Sequence, residues 1–209
     1  NLAYLILILT TIFWSGNFIV GKAASTYQIP PFSLNFFRWF FAGLILLPFT
    51  FNELIKKKKY IFENIGFFSV LGITSITIFN SIVYYSLYYT QVISGILMIS
   101  TIPVWIIFIS SILNIERTNI FQIIGVIFSL TGVIFIITKA DLEIIINLDF
   151  NKGDLSMVVA MFSWAVYSAL LKRKKYEISQ FSLLQVVIIT GLIFLTPIYL
   201  IEMYLGNVI

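Results

Sequence analysis

Cysteine and histidine are both absent from the 209 residues. No disulfide framework, thiolate or imidazole metal site, cysteine nucleophile or histidine base is therefore available. That sets aside zinc proteases, Ser-His-Asp hydrolases and haem proteins with histidine ligation. Charge is scarce as well: Asp, Glu, Lys and Arg make up 11% of the chain, against about 25% in soluble domains. What fills the chain instead is apolar. Hydrophobic residues account for 60% and aromatic residues for 17%, and the mean hydropathy is +1.02. Such a composition cannot present a water-facing surface, so the chain reads as an all-α integral membrane protein whose main partner is the lipid bilayer. No metal or cofactor is expected. The net charge of +4 informs through where its charges lie, and nucleic acid is not an expected partner.

Crossing about 30 Å of hydrocarbon takes about 20 mostly apolar residues in a helix. Charges and turn residues cut the sequence into seven segments of that size: Leu2–Val20, Phe32–Phe51, Ile65–Tyr88, Val92–Leu113, Ile120–Thr138, Leu155–Leu171 and Phe181–Ile201. The polar break at Tyr89-Thr90-Gln91 is short, but one helix over 65–113 would extend roughly 70 Å, too long for a bilayer. Basic residues divide unevenly between alternate loops. Lys56, Lys57, Lys58, Lys59, Arg117, Lys172, Arg173, Lys174 and Lys175 fall on one side, and Lys22, Lys139 and Lys152 on the other. The richer side is expected to be cytoplasmic, which puts the N-terminus inside. The first segment has no basic lead-in and carries Trp14 and Asn17 where a cleavage motif would need small residues, so it is not expected to be a signal peptide. The chain starts at Asn1 rather than Met and is expected to be part of a longer one.

Weak self-similarity runs through the chain at a nearly constant offset. Trp14 matches Trp164 at 150 residues, while Phe32-Ser33-Leu34 matches Phe181-Ser182-Leu183 and Pro48 matches Pro197 at 149. Span six would then repeat span one, and span seven would repeat span two. Five spans per repeat is an odd number, so the second copy enters the membrane from the opposite side. The basic clusters shift accordingly, from after the second span of the first copy (Lys56–Lys59) to after the first span of the second (Lys172–Lys175). The expected organisation is a five-helix repeat over 1–140, an extracytoplasmic linker over 141–153, and the first two helices of an inverted repeat over 154–209.

The run Trp14-Ser15-Gly16-Asn17-Phe18-Ile19-Val20-Gly21-Lys22, followed by Pro30-Pro31 and Arg38, resembles the opening of EamA-type members of the drug/metabolite transporter superfamily. Similar too are Tyr88-Tyr89-Thr90 through Pro103, Glu116 after span four, and Gly125 to Gly132 in span five. The resemblance implies a ten-helix carrier of two inverted five-helix repeats, in a bacterial inner membrane, moving small metabolites such as amino acids, often outward and by alternating access. It implies no enzymatic activity. The position matching Arg38 in the second copy is Val187.

Polar side chains inside a bilayer are costly unless they face other helices or a water-filled cavity, which makes them the first candidates for a transport path. Trp14 and Asn17 lie three apart on one helical face, Asn80 and Tyr84 four apart on another, and Trp164 and Tyr167 repeat the three-residue spacing. These six are expected to line a substrate cavity, with interhelical hydrogen bonding and interfacial anchoring as the alternative uses. Arg38 lies about 9 Å below the outer surface, near enough to snorkel outward or to meet an anionic substrate group. No Asp or Glu lies in the body of any of the seven segments. Pro48, Pro103 and Pro197 are candidate helix bends, and Gly125, Ser129 and Gly132 form a small face suited to close helix packing. A seven-helix receptor or channel, and a membrane enzyme, are the competing readings. Span seven has no lysine for a Schiff base, and an enzyme would have to work with Ser, Tyr, Asn or Arg38 alone.

Overall fold

The computed structural model describes residues 2–115, 119–138, 151–173 and 175–206. Glu116, Arg117, Lys139, Lys174 and most of the 141–153 linker lie outside the described residues. All regular structure among those described is helical, as a backbone without water must satisfy its own polar groups. The first two helices, α1 (Leu2–Thr26) and α2 (Pro31–Lys56), are followed by a short α3 (Lys58–Glu63) over the first basic run. The third span is one rod, Ile65–Tyr89, built from α4 (Ile65–Gly72), a π-helical segment (Ile73–Asn80) and α5 (Ser81–Tyr89). Then come α6 (Val92–Ile99), α7 (Ile102–Ile112), α8 (Ile120–Thr138), α9 (Lys152–Arg173) and α10 (Gln180–Tyr204). Among the described residues five helices are long and apolar enough to cross a membrane: α1, α2, the Ile65–Tyr89 rod, α9 and α10.

The expected fourth span is corrected: Val92–Leu113 is two helices. Pro103 stands in the first turn of α7, where its missing N–H costs nothing, and the backbone turns through Ser100 and Thr101. Pro103 thus stands just after the break that separates α6 from α7. Pro48 and Pro197 lie inside α2 and α10, which continue through them.

The small-residue face on α8 has no close neighbour among the described residues. A Cβ built at Gly125 or Gly132 meets nothing within 4 Å, and Ser129 is exposed. Close approach occurs elsewhere among the described residues. At Gly72 a Cβ would lie 2.6 Å from the backbone nitrogen of Gly191 in α10, and at Gly191 it would lie 2.7 Å from Cβ of Ile76. The third span and α10 cross there with their backbones nearly touching.

Carboxylates also sit inside helices, because the helices run longer than the apolar segments that betray them. Glu202, in the last turn of α10, is 6% exposed. It accepts hydrogen bonds from the backbone N–H of Phe32 (3.1 Å) and Ser33 (2.6 Å) and from Ser33 Oγ (2.6 Å). These are orphan donors of the α2 N-terminus, where negative charge is favoured. Glu53, near the end of α2, accepts in the same way from Ser179 N (2.8 Å), Ser179 Oγ (2.5 Å) and Ser182 Oγ (2.6 Å) at the start of α10. Glu53 and Glu202 are themselves 149 residues apart, as are Ser33 and Ser182. The two clasps tie α2 and α10 antiparallel at both ends, about 30 Å apart along α2. At the Glu53 end Lys57 Nζ, in the first basic run, lies 3.6 Å from Glu177.

At the other end Lys22, inside α1 and not in a loop, donates to the carbonyls of Leu87 (2.7 Å) and Thr90 (2.9 Å). It thereby satisfies the C-terminus of α5 with a cation. Thr90 Oγ1 donates to the buried Asp154. Asn151 and Asp154 cap α9 reciprocally: Asn151 Oδ1 accepts from Asp154 N (3.1 Å), and Asp154 Oδ2 accepts from Asn151 N (3.1 Å). The end of α1 and the start of α9 thus converge at Thr90, while Trp14 meets Trp164 further along both, so α1 and α9 are antiparallel too.

Candidate central cavity

Mid-helix residues of α1, α2, the third span, α9 and α10 enclose a cavity of about 300 Å³. From α1 come Phe13, Trp14, Asn17 and Phe18, which the 3.6-residue turn gathers on one side. Arg38 and Trp39 enter from α2, Ser75, Ile76, Phe79 and Asn80 from the π-helical segment, Ile99 and Ile102 from either side of the break between α6 and α7, Trp164 and Tyr167 from α9, and Leu184 and Val187 from α10. The wall is mainly apolar and aromatic. Trp164 joins its aromatic parts, with ring centroids 5.8 Å from Trp14, 4.5 Å from Phe79 and 5.1 Å from Tyr167.

One polar network crosses this wall. Arg38 Nη1 donates to Asn17 Oδ1 at 2.6 Å and Nη2 donates to Asn80 Oδ1 at 2.6 Å. Tyr84 OH donates to the same Asn17 oxygen at 2.6 Å. Asn80 Nδ2 in turn donates to the carbonyl of Ser75, five residues back, at 2.7 Å. The π-helical winding widens the turn at this point. It is braced from outside by Asn35, which is fully buried and donates from Nδ2 to Ile76 O and Ser81 Oγ, both at 2.8 Å.

Five of the six expected wall residues, Trp14, Asn17, Asn80, Trp164 and Tyr167, meet at this cavity, together with Arg38. Tyr84 does not line it; 2% exposed, it stands behind Asn17 and orients it. Arg38 turns inward to two asparagines, and outward snorkelling is corrected accordingly. Phe13, Phe18 and Phe79 went unremarked in the sequence, although Phe13 and Phe79 adjoin Trp14 and Asn80, and Phe18 lies one turn after Trp14. In a chain with 21 Phe a ring is no signal by itself. Among the described residues no Asp or Glu lines the cavity.

The EamA-like transporter family model matches residues 1–138. The chain belongs to that family. Among curated proteins this EamA-like chain is 29% identical over 170 residues to the uncharacterized transporter YyaM of Bacillus subtilis, covering 81% of this chain and 55% of that protein. It is 28% identical over 194 residues to an uncharacterized transporter of Archaeoglobus fulgidus (93% and 65%), and 25% identical over 176 residues to one of Clostridium kluyveri (82% and 56%). The EamA-like chain thus spans between about half and two thirds of the length of these relatives. No solved structure matches it.

Proposed function

We propose that this EamA-like chain belongs to a multi-pass carrier in a bacterial inner membrane, exporting amino acids or related small metabolites by alternating access through the central cavity. The organisation proposed is the one read from the repeats: a first unit over 1–140, a linker over 141–153 outside the cytoplasm, and the start of an inverted unit from 154. The observation that carries the reading is that positions paired by the sequence offset line one cavity together: Trp14 with Trp164, Asn17 with Tyr167, Arg38 with Val187. A site flanked by two oppositely oriented copies can open to either side by rocking one against the other. Its size suits a small ligand.

Efflux of labelled amino acids from cells expressing the full-length protein tests this. Trp14→Ala and Trp164→Ala should each lower export at least about 10-fold, with the amount of inserted protein unchanged. Export that persists in both variants would overturn the cavity as the path. Orientation is checked separately with a single cysteine introduced among these residues, which have none of their own, any cysteine elsewhere in the full-length protein being replaced first. Lys58→Cys should react with an impermeant maleimide only after the cells are opened, and labelling of intact cells would reverse the topology.

A further inference from the structure

We infer that the cavity selects small organic anions, a carboxylate on an apolar body about the size of one aromatic ring, with Arg38 taking the charged end. This deepens the carrier reading and rests on it. A guanidinium has five N–H donors. Two of those of Arg38 go to Asn17 and Asn80, and both acceptors are neutral amide oxygens. The rings of Trp39 and Tyr84 stand 4.7 Å and 5.5 Å from its central carbon, which leaves the positive charge in place. The ion pairs found among the described residues are Lys57 with Glu177 and Lys59 with Glu63, neither near the cavity. The carboxylates within the long helices are engaged elsewhere: Glu53 and Glu202 in the two clasps, Asp154 with Thr90 and Asn151.

The cavity therefore carries a permanent positive charge, and among the described residues no acidic side chain lines it. In a mostly apolar enclosure a charge is screened far less than in water, so an incoming anion is attracted strongly and a cation is repelled. The two asparagines grip both Nη atoms, which holds the planar fork still before a ligand arrives. An ordered guanidinium loses little entropy on binding a carboxylate. Trp14, Phe79 and Trp164 supply the surface for the apolar body.

Three ring compounds of one shape and different charge test the inference: benzoate, benzamide and benzylammonium, titrated by calorimetry into the purified full-length protein. Benzoate should bind at least about 10-fold tighter than benzamide, and benzylammonium more weakly than either. Arg38→Gln should bring the benzoate to benzamide ratio to about 1, and Arg38→Lys should keep part of the preference. Equal binding of benzoate and benzamide by the wild-type protein overturns anion selection, as does a preference that survives in Arg38→Gln. The wild-type ratio decides the matter even where the glutamine variant does not fold. If benzoate and benzamide bind equally and Trp164→Ala weakens both, anion selection fails and the carrier reading stands. If none of the three binds, the inference fails, and the efflux of the Trp14 and Trp164 variants decides the carrier reading by itself.

Discussion

Gly72→Ala is expected to cost about 3 kcal/mol of stability, seen as a sharp fall in the thermal unfolding temperature of the detergent-solubilised protein. The added methyl would stand 2.6 Å from the backbone nitrogen of Gly191 and 2.9 Å from the carbonyl oxygen of Val187. Neither is the free end of a flexible side chain, so relief requires α10 to move off the third span. That movement would break the hydrogen bonds from Thr77 Oγ1 to Gly191 O (2.9 Å) and from Thr190 Oγ1 to Phe68 O (3.1 Å), and would disturb the π-helical segment that presents Asn80. Gly125→Ala and Gly66→Ala serve as controls. A methyl at either position meets nothing within 4 Å, and alanine is the better helix former, so each should be neutral or stabilising by up to about 1 kcal/mol. Equal unfolding temperatures for Gly72→Ala and Gly125→Ala would contradict the close crossing.

Glu202→Ala should cost about 2–3 kcal/mol. Its loss strands the backbone N–H groups of Phe32 and Ser33 in a place where Glu202 itself is 6% exposed, so water does not readily substitute. Glu202→Gln should fall between, because one carbonyl oxygen cannot serve three donors and the charge at the α2 N-terminus is gone. Ser33→Ala combined with Glu202→Ala should cost less than the two changes added, since they share one contact. Glu53→Ala, at the mate of this position, should be milder. Ser179, to which Glu53 bonds, is exposed, and solvent replaces much of what is lost. Unfolding curves for these five variants, Ser33→Ala alone included, check the order; a larger loss at Glu53 than at Glu202 would show that burial is not what separates them.

The residues that face the cavity were largely visible beforehand, for a reason that lies in the solvent. In hydrocarbon each intramembrane Asn or Arg needs a partner, and aromatic residues at three-residue spacing share a face, so Trp14, Asn17, Asn80, Trp164 and Tyr167 stood out from a background of Leu, Ile and Phe. Tyr84 shares a face with Asn80 and was chosen on the same ground. Spacing says which side of a helix a residue takes, and not whether it stands at the wall or one layer behind it. The carboxylates escaped notice because hydropathy ends a span where polarity begins, whereas the backbone ladder continues until its end groups are capped.

What the sequence determined by itself was the solvent and the helical class, since both follow from composition and local order along the chain. The tertiary structure alone decided which glycines are crossed by another backbone, which carboxylate is buried in its clasp and which is wet, and that Arg38 turns inward to two asparagines. Each of those depends on a distance between residues far apart in the chain, and an offset of about 150 residues can suggest such a meeting without fixing its geometry.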